Sequence, residues 1–336
     1  SAIWGPMNTN FKNNRFIKVF LPDPWNKQNI VKPRELDNFY NLARTYAQNY
    51  TQKKDKINFL YLFKSLFYLF KNGLIFKLFN NFYLFFSIFI KRGFKNYFLF
   101  FLFDIISLYI FENLTKNKKI NFSLFFLNSL AHFQHNNWDN KYEEKDYFLL
   151  TDVILKVIFN ISKKYDSLII YNGFSQKKIK SEYMLRPNNP KKFLKSYNIK
   201  FSSFHSNMTN GAILSFKNKK ILNAQIKKIK KINLYGYRLF ETKMLNNHQI
   251  FCRIQVRSKK NNFTKNSKKN IFCDNNQKIL INNIDDNFLK FNKNIAFIKT
   301  TSQHIPEGQL FYRSINIKRN KIENIKIYEL IKDFFK

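Results

Sequence analysis

Two short apolar runs on either side of one amphipathic segment constrain the fold of this chain more than any other feature. The runs are INFSLFFLN (120–128) and SLIIYN (167–172), and both have the length of a buried strand. Between them, residues 143–164 repeat apolar side chains at helical spacing, with acidic residues in the first turns and lysines at the end. The order strand, helix, strand predicts a βαβ unit with two parallel strands.

The remaining segments extend this prediction to a fold class. Further strands are predicted at 211–216, 250–256, 294–300 and 308–314, and an amphipathic helix at 325–335. Residues 36–118 are predicted to form a Phe-rich helical insert with a polar break at 49–56, and the Asn/Lys-rich stretch 257–293 a surface loop or insertion. We therefore expect one α/β domain over 1–336, with a mostly parallel sheet sandwiched by helices.

The charge of the chain invites a nucleic-acid interpretation. Its net charge is +38, from 59 Lys and Arg against 21 Asp and Glu. However, Phe, Lys, Asn and Ile all have AT-rich codons, so a biased genome accounts for this composition without a polyanionic partner. We predict no specific nucleic-acid partner, and a basic protein that binds nucleic acid or membrane stays as an alternative.

The first residues and the two cysteines indicate where the sequence begins in its reading frame and in which compartment the protein works. The opening SAIWGPMNTN has neither an initiator Met nor the features of a signal peptide, so we expect the sequence to begin inside a longer reading frame. Cys252 and Cys273 form no C-x-x-C motif, which favours a reducing, cytoplasmic location. The sequence does not predict an oligomeric state.

The Phe-rich stretch 57–112 raises the question of a membrane span. Its uncharged run between Lys77 and Lys91 is too short to cross a bilayer, and the run 96–111 contains Asp104. We expect helices of a soluble insert. A membrane-associated hairpin whose flanking lysines snorkel to the headgroups is the alternative.

Candidate metal ligands follow the two strands of the predicted βαβ unit. In open parallel sheets, ligands bind beyond the carboxyl ends of the strands. Asn128, His132 and His135 follow the first strand, and Asn172 and Gly173 follow the second. A pair of hydrogen-bonding loop histidines is the alternative to a zinc site, which needs several converging ligands.

The other histidines and the known nucleophile motifs give weaker evidence for a functional site. His304, in TSQHIPEGQLFY, leads into a predicted strand and is a better candidate ligand than His205 or His248, which lie in a polar loop and a turn. The sequence contains no G-x-S-x-G, P-loop or G-x-G-x-x-G motif, so no catalytic residue is assigned.

Several of these segments together resemble the alkaline phosphatase superfamily, in its type I phosphodiesterase/nucleotide pyrophosphatase-like branch. The resemblance is carried by SAIWGPMNT and VFLPDPW near the start, FLNSLAHFQHNNW (126–138) and HIPEGQL (304–310), and it is most specific over 1–26, 120–175 and 301–335. It implies a parallel sheet between helices, two metal ions that are usually zinc and a small phosphoester substrate. The family's Thr or Ser nucleophile lies near its N-terminus, in a segment that we expect to precede residue 1 of this sequence.

The family's ligand motifs match this chain only in part. Its D-x-x-x-H pair falls on Asn128 and His132, and its C-terminal His falls on His304. Its Asp-His pair falls on Asn172 and Gly173, so neither ligand of that second site is present. The resemblance implies a metal-dependent phosphoester hydrolase that retains at most one zinc site, on His132, His304, His135 and Asn128. The alternative is a degenerate, non-catalytic relative that acts as a binding or scaffold protein.

Overall fold

A computed structural model gives the fold, and it describes most of the chain. The described residues are 1–5, 15–26, 28–49, 58–93, 95–116, 118–138, 141–172, 175–207, 211–234, 237–254, 271–274, 277–280, 294–315 and 322–335. The architecture is mixed α/β, which confirms the predicted class at that level.

Helices dominate the first half of the chain and strands the second. The helices are α1 Asp37–Asn49, α2 Phe59–Lys71, α3 Leu74–Arg92, α4 Asn96–Thr115, α5 Ser129–Asn137, α6 Lys141–Ser162, α7 Pro190–Ser196, α8 Lys219–Lys231 and α9 Asn324–Phe334. A 3-10 turn, Arg34–Leu36, precedes α1. The strands are β1 Ala2–Trp4, β2 Val19–Leu21, β3 Ser123–Phe125, β4 Leu168–Tyr171, β5 Ser175–Pro187, β6 Ser203–Ser206, β7 Gly211–Ser215, β8 Asn233–Leu234, β9 Tyr237–Arg238, β10 Phe240–Asn246, β11 Gln249–Ile254, β12 Ile271–Asp274, β13 Gln277–Leu280, β14 Ile295–Ile305 and β15 Leu310–Arg313.

A small parallel sheet organises the N-terminal half. Its strand order is β2-β1-β3, with Ala2 opposite both Val19 and Ser123. Trp4 is buried and stacks on Phe125 with 5.8 Å between the ring centroids. Side chains of α1, α2, α3 and α4 pack into the same core as β1 and β2, so the Phe-rich helices are part of this core.

Helix α4 lies in the interior although it is long and apolar enough to span a membrane. Half of its apolar window is buried inside the protein. Its residues pack in the core described above and in a second core that α4 shares with α5 and α6. Phe101 and Ile105 are fully buried. Asp104 in its middle is also buried and accepts hydrogen bonds from the start of α5.

The predicted parallel pairing of the strands at 120–128 and 167–172 is wrong as far as the described strands show. β3 pairs with β1, whereas β4 pairs antiparallel with β15. The Arg313 guanidinium donates to the carbonyl oxygens of Ser162 (2.8 Å) and Tyr165 (3.1 Å), which holds β15 beside the start of β4. Strand β3 contacts the segment before β4 through one side-chain hydrogen bond, because the Ser123 and Tyr165 hydroxyls are 2.5 Å apart.

The antiparallel elements of the second half were only partly predicted. The predicted strands 211–216 and 250–256 correspond to β7 and β11, which lie at the centre of a four-stranded antiparallel sheet in the order β10-β11-β7-β6. Helices α7 and α8 pack on this sheet around Phe193, Leu214 and Leu222. Because most of the described strand pairs are antiparallel, the parallel sheet is a smaller part of the fold than expected.

A long antiparallel pair connects the two halves. β5 and β14 pair over almost their full length, from Ile295 opposite Pro187 to Ile305 opposite Ser175. β14 also packs against α5. The predicted loop 257–293 lies outside the described residues except for the short hairpin of β12 and β13.

Candidate functional site

Helix α5 carries two of the candidate histidines, and its N-terminus is held by a carboxylate from α4. The Oδ2 atom of Asp104 accepts hydrogen bonds from the backbone N–H groups of Asn128 (3.0 Å) and Ser129 (2.8 Å). An N-terminal helix residue often caps these amides with its own side chain, but the Asn128 side chain makes no such bond here. Asp104 therefore replaces a local cap, and the side-chain amide of Asn128 is available for another contact.

The C-terminus of α5 is held by a hydroxyl from β14. Thr301 is fully buried, and its Oγ1 donates to the carbonyl oxygen of Gln134 at 2.8 Å. Thr301 Oγ1 also accepts a hydrogen bond from the backbone N–H of Trp138 at 3.0 Å. Helix ends leave such backbone groups without intrahelical partners, so both ends of α5 are completed by distant residues.

His132 lies in the interior of this site, against Asn128. The Nδ2 atom of Asn128 is 3.2 Å from Nε2 of His132, and the ring of His132 stacks on Phe100 with 4.0 Å between centroids. Burial, and secondarily the charge of His135, lower the pKa of His132 to about 4. The ring is therefore neutral at pH 7, and its Nε2 lone pair accepts the Asn128 amide.

His135 and His304 are in direct contact. Their ring centroids are 4.8 Å apart and their planes are nearly perpendicular. His135 lies one helical turn after His132 on α5, and His304 lies in β14 opposite Gln176 of β5. The packing of α5 against β14 thus brings together two histidines that the sequence placed in separate loops.

Two polar side chains complete this group, which we call the imidazole cluster: His135, His304, Gln176 and Ser302. The Ser302 Oγ is 3.3 Å from Nδ1 of His135 and also donates to the Gln176 side-chain carbonyl. The Gln176 Nε2 is 3.4 Å from Nε2 of His135. Both ring nitrogens of His135 thus face a polar neighbour.

The imidazoles of the cluster are neutral at physiological pH. Burial, and secondarily the charge of His304, lower the pKa of His135 to about 4. Burial also lowers the pKa of His304, which is nonetheless exposed at the surface. Neutral imidazole is the form that binds a metal ion.

Asn172 has a structural role at the neighbouring loop. Its backbone N–H donates to the Gln309 carbonyl (3.1 Å), and its Oδ1 accepts from the Gln309 N–H (2.5 Å). A side chain at Gly308 would overlap the Asn172 carbonyl oxygen, so glycine permits this close approach. Gly173, the other position predicted from the family's second metal site, lies outside the described residues.

The residues present fit a metal site only in part. Two imidazoles meet at the cluster, whereas structural zinc sites have four ligands and catalytic ones have three from the protein. Among the residues that the structure describes, no group of three or more His, Cys, Asp or Glu side chains could hold a metal ion. His132 lies next to the pair, but Asn128 occupies its Nε2.

The comparisons with known proteins place the chain in no family. No family model, no curated protein and no solved structure matches it. The resemblance to the alkaline phosphatase superfamily therefore stays a prediction that rests on the motifs quoted above.

Four residues of the site were not singled out from the sequence: Asp104, Gln176, Thr301 and Ser302. Asp104 could have been identified from the sequence, because an acidic residue within an apolar helix needs a buried partner. No sequence pattern identifies Gln176, Thr301 and Ser302, because only the pairing of β5 with β14 and the packing of β14 on α5 bring them to the site. His248 was predicted in a turn and is exposed there, with its N–H bonded to Oδ1 of Asn246.

Proposed function

We propose that this chain is a metal-dependent hydrolase of small phosphate esters, and that its divalent cation binds at His135 and His304. The observation that supports this is the contact between two neutral imidazoles from separate segments at an accessible surface. Zinc is the expected ion, because imidazole nitrogen is one of its usual ligands. The proposal includes an alkaline-phosphatase-like arrangement of helices around the parallel sheet.

The neighbours of His135 would orient it for this role. Histidines that bind metal generally use one ring nitrogen and hydrogen-bond through the other. Ser302 lies at Nδ1 of His135, so Nε2 is the nitrogen for the cation, and the Gln176 amide would have to yield its place there. Ser302 is therefore a positioning residue.

A bound cation would stabilise the negative charge that develops on phosphoryl oxygens. The net charge of +38 adds a field that attracts anionic substrates to the surface. No nucleophile is assigned, since the polar neighbours of the imidazole cluster are hydrogen-bonded to each other.

Metal titration tests the site directly. We expect zinc to bind the purified chain in calorimetry at pH 7, with the affinity at least tenfold weaker in His135→Ala and in His304→Ala. His248→Ala is the matched control, because that histidine is exposed in the turn between β10 and β11. Hydrolysis of p-nitrophenyl phosphate mono- and diesters should depend on the same two histidines. Absence of zinc binding by the unsubstituted chain would refute the proposal.

A non-catalytic relative that binds a ligand or a partner is the second candidate. Its support is that Asn128 and Asn172, which stand where the family has carboxylates, are both engaged in hydrogen bonds that organise the fold. Zinc binding without turnover of any phosphoester in a broad panel would favour this candidate. Robust turnover would exclude it.

A further inference from the structure

The helical hairpin formed by α2 and α3 presents a large apolar surface to solvent. We call this surface the aromatic face and define it by Phe63, Phe67 and Phe70 of α2 and Phe76, Phe79 and Tyr83 of α3. Phe63 is 70% exposed, Phe67 62% and Phe79 59%. The two helices contact each other and are joined by the short turn at Asn72 and Gly73.

The inner sides of the same helices are already used in packing. Ser65 and Leu69 of α2 and Leu74 and Ile88 of α3 are buried, and α2 packs on α1 while α3 packs on α4. At about 100° per residue, the exposed side chains of α2 project from the side opposite to Ser65 and Leu69. The aromatic face is therefore a second apolar surface, separate from the core.

These six side chains together expose more apolar area than the largest single patch of a typical soluble monomer. A fully enclosed phenylalanine buries about 200 Å², so six side chains that are roughly two-thirds exposed present on the order of 800 Å². The largest apolar patch of a typical monomer is about 300–600 Å². Exposed apolar area of this extent on two adjacent helices is typical of an interaction site.

Lysines beside the face indicate the kind of partner. Lys64 and Lys71 lie two turns apart on α2, along one edge of the aromatic stripe, and both are exposed. Neither lysine takes part in an ion pair within the described part of the chain. Aromatic side chains flanked by lysines are the pattern of helices that lie in the headgroup region of anionic membranes.

The lengths and anchoring of the helices favour lying on a membrane over crossing it. α2 has 13 residues and is about 20 Å long, whereas the hydrocarbon core is about 30 Å thick. α3 is fixed side-on to α4, because Lys77 pairs with Glu112 at 2.7 Å and Asn81 donates to the Tyr109 hydroxyl at 2.8 Å. Both helices can thus insert their outer sides while the inner sides stay packed.

We propose that the aromatic face binds the interface of an anionic phospholipid bilayer. The phenyl rings enter the boundary between headgroups and acyl chains, and Lys64 and Lys71 bind lipid phosphates or carboxylates. Since the net charge is +38, long-range attraction to an anionic leaflet brings the protein to the surface before the rings insert. Membrane binding at this face is independent of the metal site.

Vesicle binding tests the aromatic face. We expect the chain to sediment with vesicles of phosphatidylcholine and phosphatidylserine, and at least tenfold less with phosphatidylcholine alone. Phe63→Ser/Phe67→Ser/Phe79→Ser should weaken binding to the anionic vesicles at least tenfold. The control Phe148→Ser/Phe311→Ser removes exposed rings elsewhere (62% and 49% exposed) and should bind as the unsubstituted chain does.

A fluorescent side chain distinguishes insertion of the rings into the bilayer from binding through charge alone. We expect the emission of a Phe67→Trp variant to shift to the blue on binding and to be quenched by brominated acyl chains, with circular dichroism confirming the fold of every variant. Equal binding of the triple variant and the unsubstituted chain, or no quenching of the introduced indole, would overturn the proposal. So would a dimer in light scattering that depends on the aromatic face and does not bind vesicles, since it would assign the face to a second copy.

Discussion

The buried carboxylate of Asp104 gives the sharpest test of how the fold positions its histidines. Burial raises the pKa of this carboxyl from 3.8 to about 6, and the N–H groups of Asn128 and Ser129 only partly offset the effect. The folded chain therefore keeps a proton that the unfolded chain has lost between pH 4 and pH 6. In this window the contribution of Asp104 to the free energy of unfolding falls as pH rises.

The size of the effect follows from the shift. A change of about two pKa units corresponds to about 3 kcal/mol. Asp104→Asn removes the titration but retains an oxygen that can accept both backbone N–H bonds. The difference in unfolding free energy, Asp104→Asn minus wild type, should therefore rise by about 3 kcal/mol between pH 4 and pH 7.

Urea unfolding followed by circular dichroism, in EDTA at four pH values from 4 to 7, measures this difference. The comparison of the two proteins cancels the titration of all other groups, including the histidines. Asp104→Ala is the companion variant. It leaves two amides of α5 without their acceptor and should be about 2–4 kcal/mol less stable than Asp104→Asn at every pH. Parallel pH profiles for the wild type and Asp104→Asn would refute this reasoning.

Three further predictions concern the same region and the basic surface. Because its pKa is lowered to about 4 in the folded chain, His132 should destabilise the metal-free protein by up to about 3 kcal/mol as pH falls from 6.5 to 4; His132→Leu should flatten that part of a urea-unfolding profile. Thr301→Val should lower the unfolding free energy by about 2–3 kcal/mol, as it removes the three hydrogen-bond contacts of the Thr301 hydroxyl at the end of α5, while the neighbouring Thr300→Val should change it by less than about 1 kcal/mol. Binding to unstructured RNA in fluorescence anisotropy at physiological salt should be no tighter than about 1 μM, and a tighter complex that Lys220→Gln/Lys227→Gln weakens would instead support the nucleic-acid alternative.

Local patterns predicted the elements with strong periodicity. The segment 143–164 corresponds to α6, where Leu150, Ile154 and Ile161 are buried as their spacing indicated. The Phe-rich segment forms the helices α2, α3 and α4, whereas the predicted break at 49–56 lies outside the described residues after Asn49, the last residue of α1. In these segments, apolar spacing within one element decides which side is buried, so the sequence alone carries the information.

Long-range pairing could not be predicted from local patterns. Antiparallel partners for β4 and β5 come from β15 and β14, more than a hundred residues away, and no local pattern selects them. The imidazole cluster depends on that pairing. The sequence identified His135 and His304 as candidates, but their contact required the packing of α5 against β14.

The attachment of α5 at both ends has a consequence for how the chain acquires its histidine pair. A helix of nine residues is too short to persist alone in water. The N–H groups at its start donate to Asp104, which lies 24 and 25 positions earlier in the chain. The carbonyls near its end accept from Thr301, which lies 166 and 167 positions later. During synthesis, residues 129–137 leave the ribosome long before Thr301 exists. The two imidazoles can therefore meet only after β14 has been synthesised, and their contact reports that α5 has packed on β14.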